Sequence, residues 1–263
     1  MTTERKSIFI TGAASGMGRE TAKLFAGHGW FVGCYDVNDD GLTTLKDELG
    51  GNAGLFQRLD VCDRAAYLDT IAAFGRATGG RMDILFNNAG IGLGGFYDEM
   101  AWEDVLRIVN INLIGVLSGV HAAMPLLKAT PNALCFSTSS ASAIFGAARI
   151  SVYSATKHAV KGFTEALSVE LARLGIRCAD VLPGWIDTPL VSQEMRDHLP
   201  AEGLWRLSPP SAVADAVWAA YHGDKVHYYV PSELHDLDKL VTAQPEQTRD
   251  QRRRLLAERM QIV

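Results

Sequence analysis

Tyr153 and Lys157 stand four residues apart in the run Y-S-A-T-K, and Ala159, Val160, Phe163, Leu167 and Leu171 follow at helical spacing. Side chains four apart on a helix share a face, so the phenol and the ammonium can reach one space. A phenol titrates near ~10 and is a poor base at neutral pH. A cation beside it favours the phenolate and makes Tyr153 a usable proton donor or acceptor. Ser140, thirteen residues upstream in a loop of small residues, adds a hydroxyl for a substrate oxygen. A tyrosine and a lysine spaced by chance on an amphipathic helix would read the same way. The other half of a site has to come from elsewhere in the chain.

It comes from the N-terminus. An apolar run at 7–10 leads into T-G-A-A-S-G-M-G at 11–18; a helical pattern through Thr21, Ala22, Leu24 and Phe25 follows, then a second apolar run at 31–35 ending at Asp36. Strand, glycine loop, helix, strand and acid make up a dinucleotide-binding βαβ unit. Glycines let the backbone approach a pyrophosphate, and the helix start offers unpaired N–H groups. Asp36 is placed to accept hydrogen bonds from ribose hydroxyls.

The alternation continues with strands at 54–59, 82–86, 134–136 and 176–182, separated by helices at 42–49, 65–77, 102–127 and 153–174. Such alternation implies right-handed crossovers and a doubly wound parallel sheet, whose ligands bind at the carboxyl ends of the strands. The glycine loop, Asp36, Asp60, Asn88, Ser140 and Pro183-Gly184 all fall at those ends.

Composition bounds the fold class and the partners. The chain has 263 residues, 48% apolar and 21% charged, with 25 basic against 30 acidic side chains and a net charge of −5. A single α/β domain is expected, and a mildly acidic one is poorly suited to nucleic acid or an anionic membrane. No run of 18 uninterrupted apolar residues is present, and the N-terminus does not resemble a signal peptide. Cys34, Cys62, Cys135 and Cys178 are widely spaced, and three lie in strand-like runs. Free thiols in a reducing cytoplasm are expected, with no metal site. The seven histidines form no ligand-like cluster.

The sequence resembles the short-chain dehydrogenase/reductase family, in its compact single-domain branch, over about residues 5–190. The resemblance rests on T-G-A-A-S-G-M-G at 11–18, D-V at 60–61, N-N-A-G at 87–90, N-x-x-G at 112–115, Ser140, Y-S-A-T-K at 153–157 and P-G-W-I-D-T at 183–188. It implies a Rossmann fold of about seven parallel strands and an NAD-dependent interconversion of a secondary alcohol and a ketone. Reduction of a conjugated double bond and non-catalytic dinucleotide sensing are the alternatives; the intact Ser140, Tyr153 and Lys157 speak against the second.

By the same resemblance, Gly12, Ser15, Gly16, Met17 and Gly18 would line the ribose and pyrophosphate. Asp36 would bind the adenosine ribose, with Asp60 and Val61 flanking the adenine. Asn88 and Gly90 would lie along the cofactor, while Ile186 and Thr188 would hold its carboxamide. Tyr153 would be the acid/base and Ser140 would fix the substrate oxygen. Lys157 would bind the nicotinamide ribose and lower the phenol's pKa, and Asn112 would hold a water next to it. Asp36, with no Arg or Lys at Ala13-Ala14-Ser15 or Val37, selects NAD over NADP.

Three further expectations concern parts outside these motifs. Residues 185–210 read as a mobile lid whose Leu190, Val191, Met195, Leu199, Leu204 and Trp205 face Phe96, Ile144, Phe145, Ile150 and Trp185 across an apolar substrate pocket. The two long helices, apolar at Val116, Val120, Met124, Val160, Phe163 and Leu167, predict a homodimer or homotetramer. The usual glycine-rich closing turn is missing after 226–231, and an atypical helical tail occupies 232–263, which puts tetramer assembly in doubt.

Overall fold

A computed structural model describes residues 5–260. Among these residues one seven-stranded sheet forms, wholly parallel, in the order β3-β2-β1-β4-β5-β6-β7. Its strands are β1 (Ser7–Thr11), β2 (Phe31–Asp36), β3 (Gly54–Arg58), β4 (Ile84–Asn87), β5 (Leu134–Thr138), β6 (Arg177–Pro183) and β7 (His227–Val230). The order reverses between β1 and β4, which opens a crevice at their carboxyl ends.

Alternate residues of the buried strands face opposite layers. Ile8, Ile10, Val32, Cys34, Ile84, Phe86, Phe136 and Val181 share a core with Phe25 of α1 (Gly16–Gly27) and Val213 and Val217 of α8 (Ser211–His222). Phe9, Tyr35, Leu85, Cys135 and Cys178 pack on the other face against α3 (Arg64–Ala77), α5 (Gly115–Lys128) and α6 (Ser151–Glu170). Side-chain caps start the helices between: Asn38 accepts from Gly41 N at 3.0 Å to open α2 (Asp39–Leu49), and Asp63 accepts from Ala66 N at 3.0 Å to open α3. Arg177 gathers the last carbonyls of α8, donating to Ala220 O at 2.9 Å and Tyr221 O at 2.8 Å. A guanidinium suits that end because the terminal C=O groups have no helical partner.

The helix expected over 102–127 forms, as one rod from Trp102 to Lys128 that is interrupted only by a change of winding. α4 (Trp102–Val109) passes through a π-helical turn at Asn110–Ile114 before α5 begins. The rod from Trp102 to Lys128 is long and apolar enough to cross a membrane, yet Val116, Val120, Ala123 and Leu127 are buried against the chain's own core. The same holds for Val160 and Leu167. Four of the residues expected to mark a subunit interface are therefore spent inward. The exposed apolar residues on these elements are instead Trp102, Leu106, Ile114 and Val169.

All four cysteines are free; Cys34, Cys135 and Cys178 are buried and Cys62 is exposed. Cys135 and Cys178 are partners across β5 and β6, and the hydrogen bond between them, with burial, holds the Cys135 thiol up.

In place of a closing turn, α9 (Leu234–Ala243) folds back over the carboxyl end of the sheet. Its Leu234 and Val241 join Ala141, Ile144 and Leu182 in a separate apolar cluster. α10 (Pro245–Met260) continues from it and sets the Arg252 guanidinium 5.2 Å from the Phe145 ring centre. The last residues of the expected tail, 261–263, lie outside the described residues.

Phe9 sits at the middle of the helix-facing core, stacked on Tyr35 at 4.1 Å and edge-on to Phe74 at 5.4 Å. Phe9→Ala should therefore cost about 3–5 kcal/mol, read as a lower urea midpoint with an unchanged slope. A loss below about 1 kcal/mol would show that the layer repacks around the gap.

Candidate active site

The glycine loop turns on backbone conformations that side chains resist. Gly12 and Gly16 have φ of +68° and +52°, a region open to glycine at no steric cost. Gly18 lies so close to Gly12 that an added Cβ would strike the Gly12 carbonyl. Asn88 braces the loop from β4: its amide donates to Thr11 O at 3.1 Å and Gly12 O at 3.2 Å, while its oxygen accepts from the Thr138 hydroxyl at 3.1 Å. The Thr11 hydroxyl accepts in return from Asn88 N and Ala89 N. Asn88 is thus first a strut between three strand ends. Thr11 and Thr138, the other two members, were not legible as site residues.

Ser15 precedes α1, exposed and with no capping bond from its side chain; Met17 follows in the first turn, half-buried. The Asp36 carboxylate accepts from Ala14 N and Asn38 N, each at 3.0 Å, which aims it along the loop at the carboxyl end of β2. Asp60 accepts from Cys62 N, and Val61 packs on Gly115. Glycines too close to a neighbour for any Cβ, a helix start with an unengaged hydroxyl, and an oriented acid at the next strand fit an adenosine diphosphate group.

Four residues converge beyond the loop. Lys157 is 3% exposed, and its ammonium donates to Thr138 O at 2.8 Å and lies 5.5 Å from the Tyr153 ring centre. Ser139 pins the same turn of α6, its hydroxyl donating to Lys157 O at 2.9 Å. A Cβ added at Gly90 would stand 3.3 Å from Asn112 Oδ1 and 3.7 Å from Lys157 Nζ, which places all three together. Asn112 occupies the π turn and is fully buried; its amide exchanges two 2.9 Å hydrogen bonds with the backbone of Ile91. The side chain expected to hold a water is first a clasp on the loop after β4. Ser140 starts the 3₁₀ turn Ala141–Ala143 by accepting from Ser142 N at 3.1 Å. His158, next to Lys157, is exposed and bonded to Ser154 O, away from the site.

The electrostatics depart from the sequence expectation at Tyr153. Its pKa is raised rather than lowered: burial disfavours the phenolate, and the hydrogen bond from Ser140 offsets only part of this. Lys157 does not engage the phenol oxygen directly, because its ammonium is held by Thr138. Burial pulls Lys157 down to about 8, against the opposing charge of Asp180. That acid stands in the middle of the apolar run C-A-D-V-L, a signal readable in the sequence.

The segment after β6 crosses the mouth of the crevice. Ile186 is buried and bridges to Ser208. The Thr188 methyl would lie 2.7 Å from a Cβ on Gly16, and Leu190 packs 3.2 Å from a Cβ position on Gly92. Arg196 on α7 (Gln193–Asp197) ties this stretch together, pairing with Asp187 and donating to Thr188 O at 2.8 Å and Val191 O at 3.1 Å. Val191 is buried, whereas Leu190, Met195 and Trp205 are exposed. Across the crevice, Arg149 has φ +67° and lies 5.4 Å from the Phe96 ring centre, with its carbonyl accepting from Gly95 N at 2.7 Å.

Comparison with known proteins places this arrangement. The family model described as short chain dehydrogenase matches residues 6–199. A cyclohexanol dehydrogenase of Acinetobacter is 35% identical over 219 residues, covering 81% of this chain and 86% of the relative. A 2,5-dichloro-2,5-cyclohexadiene-1,4-diol dehydrogenase of Sphingobium indicum is 36% identical over 197 residues, 74% of this chain and 78% of the relative. Among solved structures, a 3-ketoacyl-(acyl-carrier-protein) reductase from Brucella melitensis complexed with NADH superposes with a TM-score of 0.78 at 30% identity, covering 87% of this chain and 98% of that one. With the family model matching most of its length and these relatives covered over more than two thirds of theirs, the chain belongs to the short-chain dehydrogenase family of oxidoreductases.

Proposed function

We propose that the protein is an NAD-dependent oxidoreductase that interconverts a secondary alcohol and a ketone on a mostly apolar substrate. The observation that carries this reading is the convergence of Ser140, Tyr153 and Lys157 at the strand ends beside the glycine loop. Bound along that loop, NAD supplies or accepts the hydride. Gly12, Ser15, Gly16, Met17 and Gly18 would hold its phosphates and Asp36 its adenosine ribose.

The chain's own groups handle the proton and the orientation. Tyr153 keeps its proton at neutral pH because burial holds its pKa up, so it is ready to donate to a developing alkoxide. Ser140 hydrogen-bonds the same oxygen and fixes it. Lys157, as an ammonium, adds positive charge beside the site where negative charge develops. In the oxidising direction Tyr153 must take up the alcohol's proton, so that activity rises with pH as the phenol ionises. Tyr153→Phe should lower kcat at least about 100-fold, in the range for a lost acid/base, while NAD still binds by calorimetry. Lys157→Ala should weaken both. Retention of most of the wild-type rate by Tyr153→Phe would overturn this chemistry.

NAD rather than NADP follows from the charges around Asp36. The nearby cations are already engaged: Arg19 pairs with Glu48 at 2.5 Å, and Arg58 with Asp39 at 3.1 Å. A 2′-phosphate would therefore meet a carboxylate with no free cation supplied at Ala13–Ser15 or Val37. The apolar substrate is inferred from Phe96, Ile150, Trp185, Leu190, Met195 and Trp205 on the segments either side of the crevice, whereas Ile144 and Phe145, expected with them, are taken up by the apolar cluster under α9; relatives named for cyclohexanol and a cyclohexadienediol support the reading. One panel tests both: cyclic and aryl ketones, keto acids and sugars, each with NADH and NADPH. Apolar ketones with NADH should lead by about tenfold or more in kcat/KM, a difference of ~1.4 kcal/mol. A lead for NADPH, or for acids or sugars, would reject that half of the proposal.

Self-association belongs to the same reading. Trp102, Leu106 and Ile114 are exposed apolar residues on the α4–α5 rod, and Val169 is 77% exposed on α6. Joined across a two-fold mate, these residues would make the kind of apolar patch that marks a protein contact. Light scattering at micromolar concentration should give a mass of two or more chains, and Trp102→Glu should lower it. A single-chain mass for the wild type would exclude the dimer.

A further inference from the structure

Helix α9 has no part in the proton and hydride steps, yet it backs the turn that carries Ser140. Three hydrogen bonds close that turn on itself: Ser142 N donates to Ser140 Oγ at 3.1 Å, Ala143 N to Ser140 O at 2.9 Å and Ile144 N to Ala141 O at 3.1 Å. From outside, the turn is backed by apolar packing. Ala141, Ala143 and Ile144 share one buried cluster with Leu234 and Val241 of α9. Leu234, Asp238 and Val241 stand at i, i+4 and i+7, and so lie along one face of that helix.

Apolar packing has no direction of its own and would leave α9 free to slide over the turn. One acid fixes it. Asp238 Oδ2 accepts from Lys161 Nζ of α6 at 3.0 Å and from the Tyr229 hydroxyl of β7 at 2.7 Å. The Tyr229 side chain packs on the same apolar cluster. The Lys161 and Asp238 side chains are only 19% and 14% exposed, and removing one member of so enclosed a pair leaves the other charge uncompensated. Asp236 and Lys239 of the same helix also pair, at 3.7 Å, but their side chains are 85% and 67% exposed; such surface pairs contribute little. Lys161 lies one turn beyond Lys157 on the helix that carries Tyr153. Asp238 thus ties the backing of the Ser140 turn to the helix that holds the phenol.

We infer that Asp238 is a positioning residue, one that rests on the proposed reaction and acts through Ser140: by docking α9 on α6 and β7, it holds the turn from which the Ser140 hydroxyl meets the substrate oxygen. The linkage runs through named contacts. Asp238 anchors α9 to Lys161 and Tyr229. Leu234 and Val241, on the anchored face, bury Ala141 and Ala143. Ser142 stands between those two alanines, and its N–H holds Ser140 Oγ. Loss of the anchor frees the helix, then the turn, and then the hydroxyl, while the glycine loop keeps its own braces from Asn88.

Native-state amide exchange of the full chain, read by mass spectrometry, tests the docking without reference to activity. In Asp238→Asn, peptides covering 140–145 should exchange at least about tenfold faster, the scale of a lost hydrogen bond to a charged group, while peptides of β1 and β4 keep their wild-type rates. Asp236→Asn, which removes a charge from the exposed side of α9, should change neither. Unchanged exchange at 140–145 in Asp238→Asn would overturn the proposal, and so would acceleration spread evenly over β1 and β4, the mark of a merely structural acid. Should Asp238→Asn fail to fold, Tyr229→Phe removes one of the two anchoring bonds, and unchanged exchange at 140–145 there refutes the docking. Activity is scored separately. With NADH saturating, kcat for ketone reduction should fall about tenfold in Asp238→Asn, within the up to about 100-fold cost of a misplaced group, and KM for NADH should stay as it was. In a Ser140→Ala background the same substitution should lower kcat by less than about twofold further, because residues acting through one another are not additive. A full second loss there would show that Asp238 acts elsewhere and would overturn the inference. Faster exchange at 140–145 in a protein that reduces no ketone counts against the proposed reaction and leaves the docking intact.

Discussion

Two hydrogen bonds running in opposite directions join the end of β5 to one turn of α6. The Lys157 ammonium donates to the Thr138 carbonyl, and the Ser139 hydroxyl donates back to the Lys157 carbonyl. A buried ammonium cannot leave its acceptor without losing both hydration and hydrogen bond, so the penalty of burial becomes positional restraint. Tyr153 lies one turn earlier on the same helix and inherits its location from that restraint. Ser140 inherits its own from Ser139, its immediate neighbour. Ser140, Tyr153 and Lys157 are thus placed by the strand–helix junction rather than by contacts with one another.

The same strand end holds the cofactor side of the crevice. Thr138 gives its carbonyl to Lys157 and its hydroxyl to Asn88, and Asn88 passes the linkage to Thr11 and Gly12. One threonine therefore ties α6 to the glycine loop across β4. A polar network of this kind specifies geometry only when its members are satisfied, and each of these four bonds is 3.2 Å or shorter. Arg196 plays a comparable part for the segment that overlies the loop, by gathering Asp187, Thr188 and Val191.

The fold, and the sequence positions that the structure brings together at the strand ends, were legible because their signals are local. A glycine loop must follow a strand and open a helix, and an i,i+4 pair declares its shared face without any tertiary knowledge. What sequence reading missed depends on contacts between distant elements. Thr138 and Thr11 look like ordinary strand residues until the strands are side by side. The same is true of the apolar stripe of α5 and α6, where periodicity could not separate residues facing the sheet from residues facing another molecule. Val116 and Leu167 went inward, and Trp102 and Val169 remained outside. The pKa direction of Tyr153 was missed for a related reason: spacing shows that a cation is near, but only burial decides which effect wins. Asp180 is the instructive exception, an acid in an apolar strand that propensity alone flags as anomalous.

The π turn at Asn110–Ile114 closes on the bond from Gly115 N to Asn110 O, one residue wider than an α-helical turn. Such a bulge accommodates one extra residue while the helix on either side continues. α4 and α5 can therefore be regarded as a single ordinary helix that has acquired an insertion, with the surplus spent on turning Asn112 toward Ile91. Excision of one residue from this stretch would let the two helices merge in phase, with the buried face of α5 still on the sheet and that of α4 still on α6. Fold and chemistry are in this sense separately heritable at this point: a chain could shed the clasp on the loop after β4 and keep its architecture, and an alignment would record the event as a lone gap.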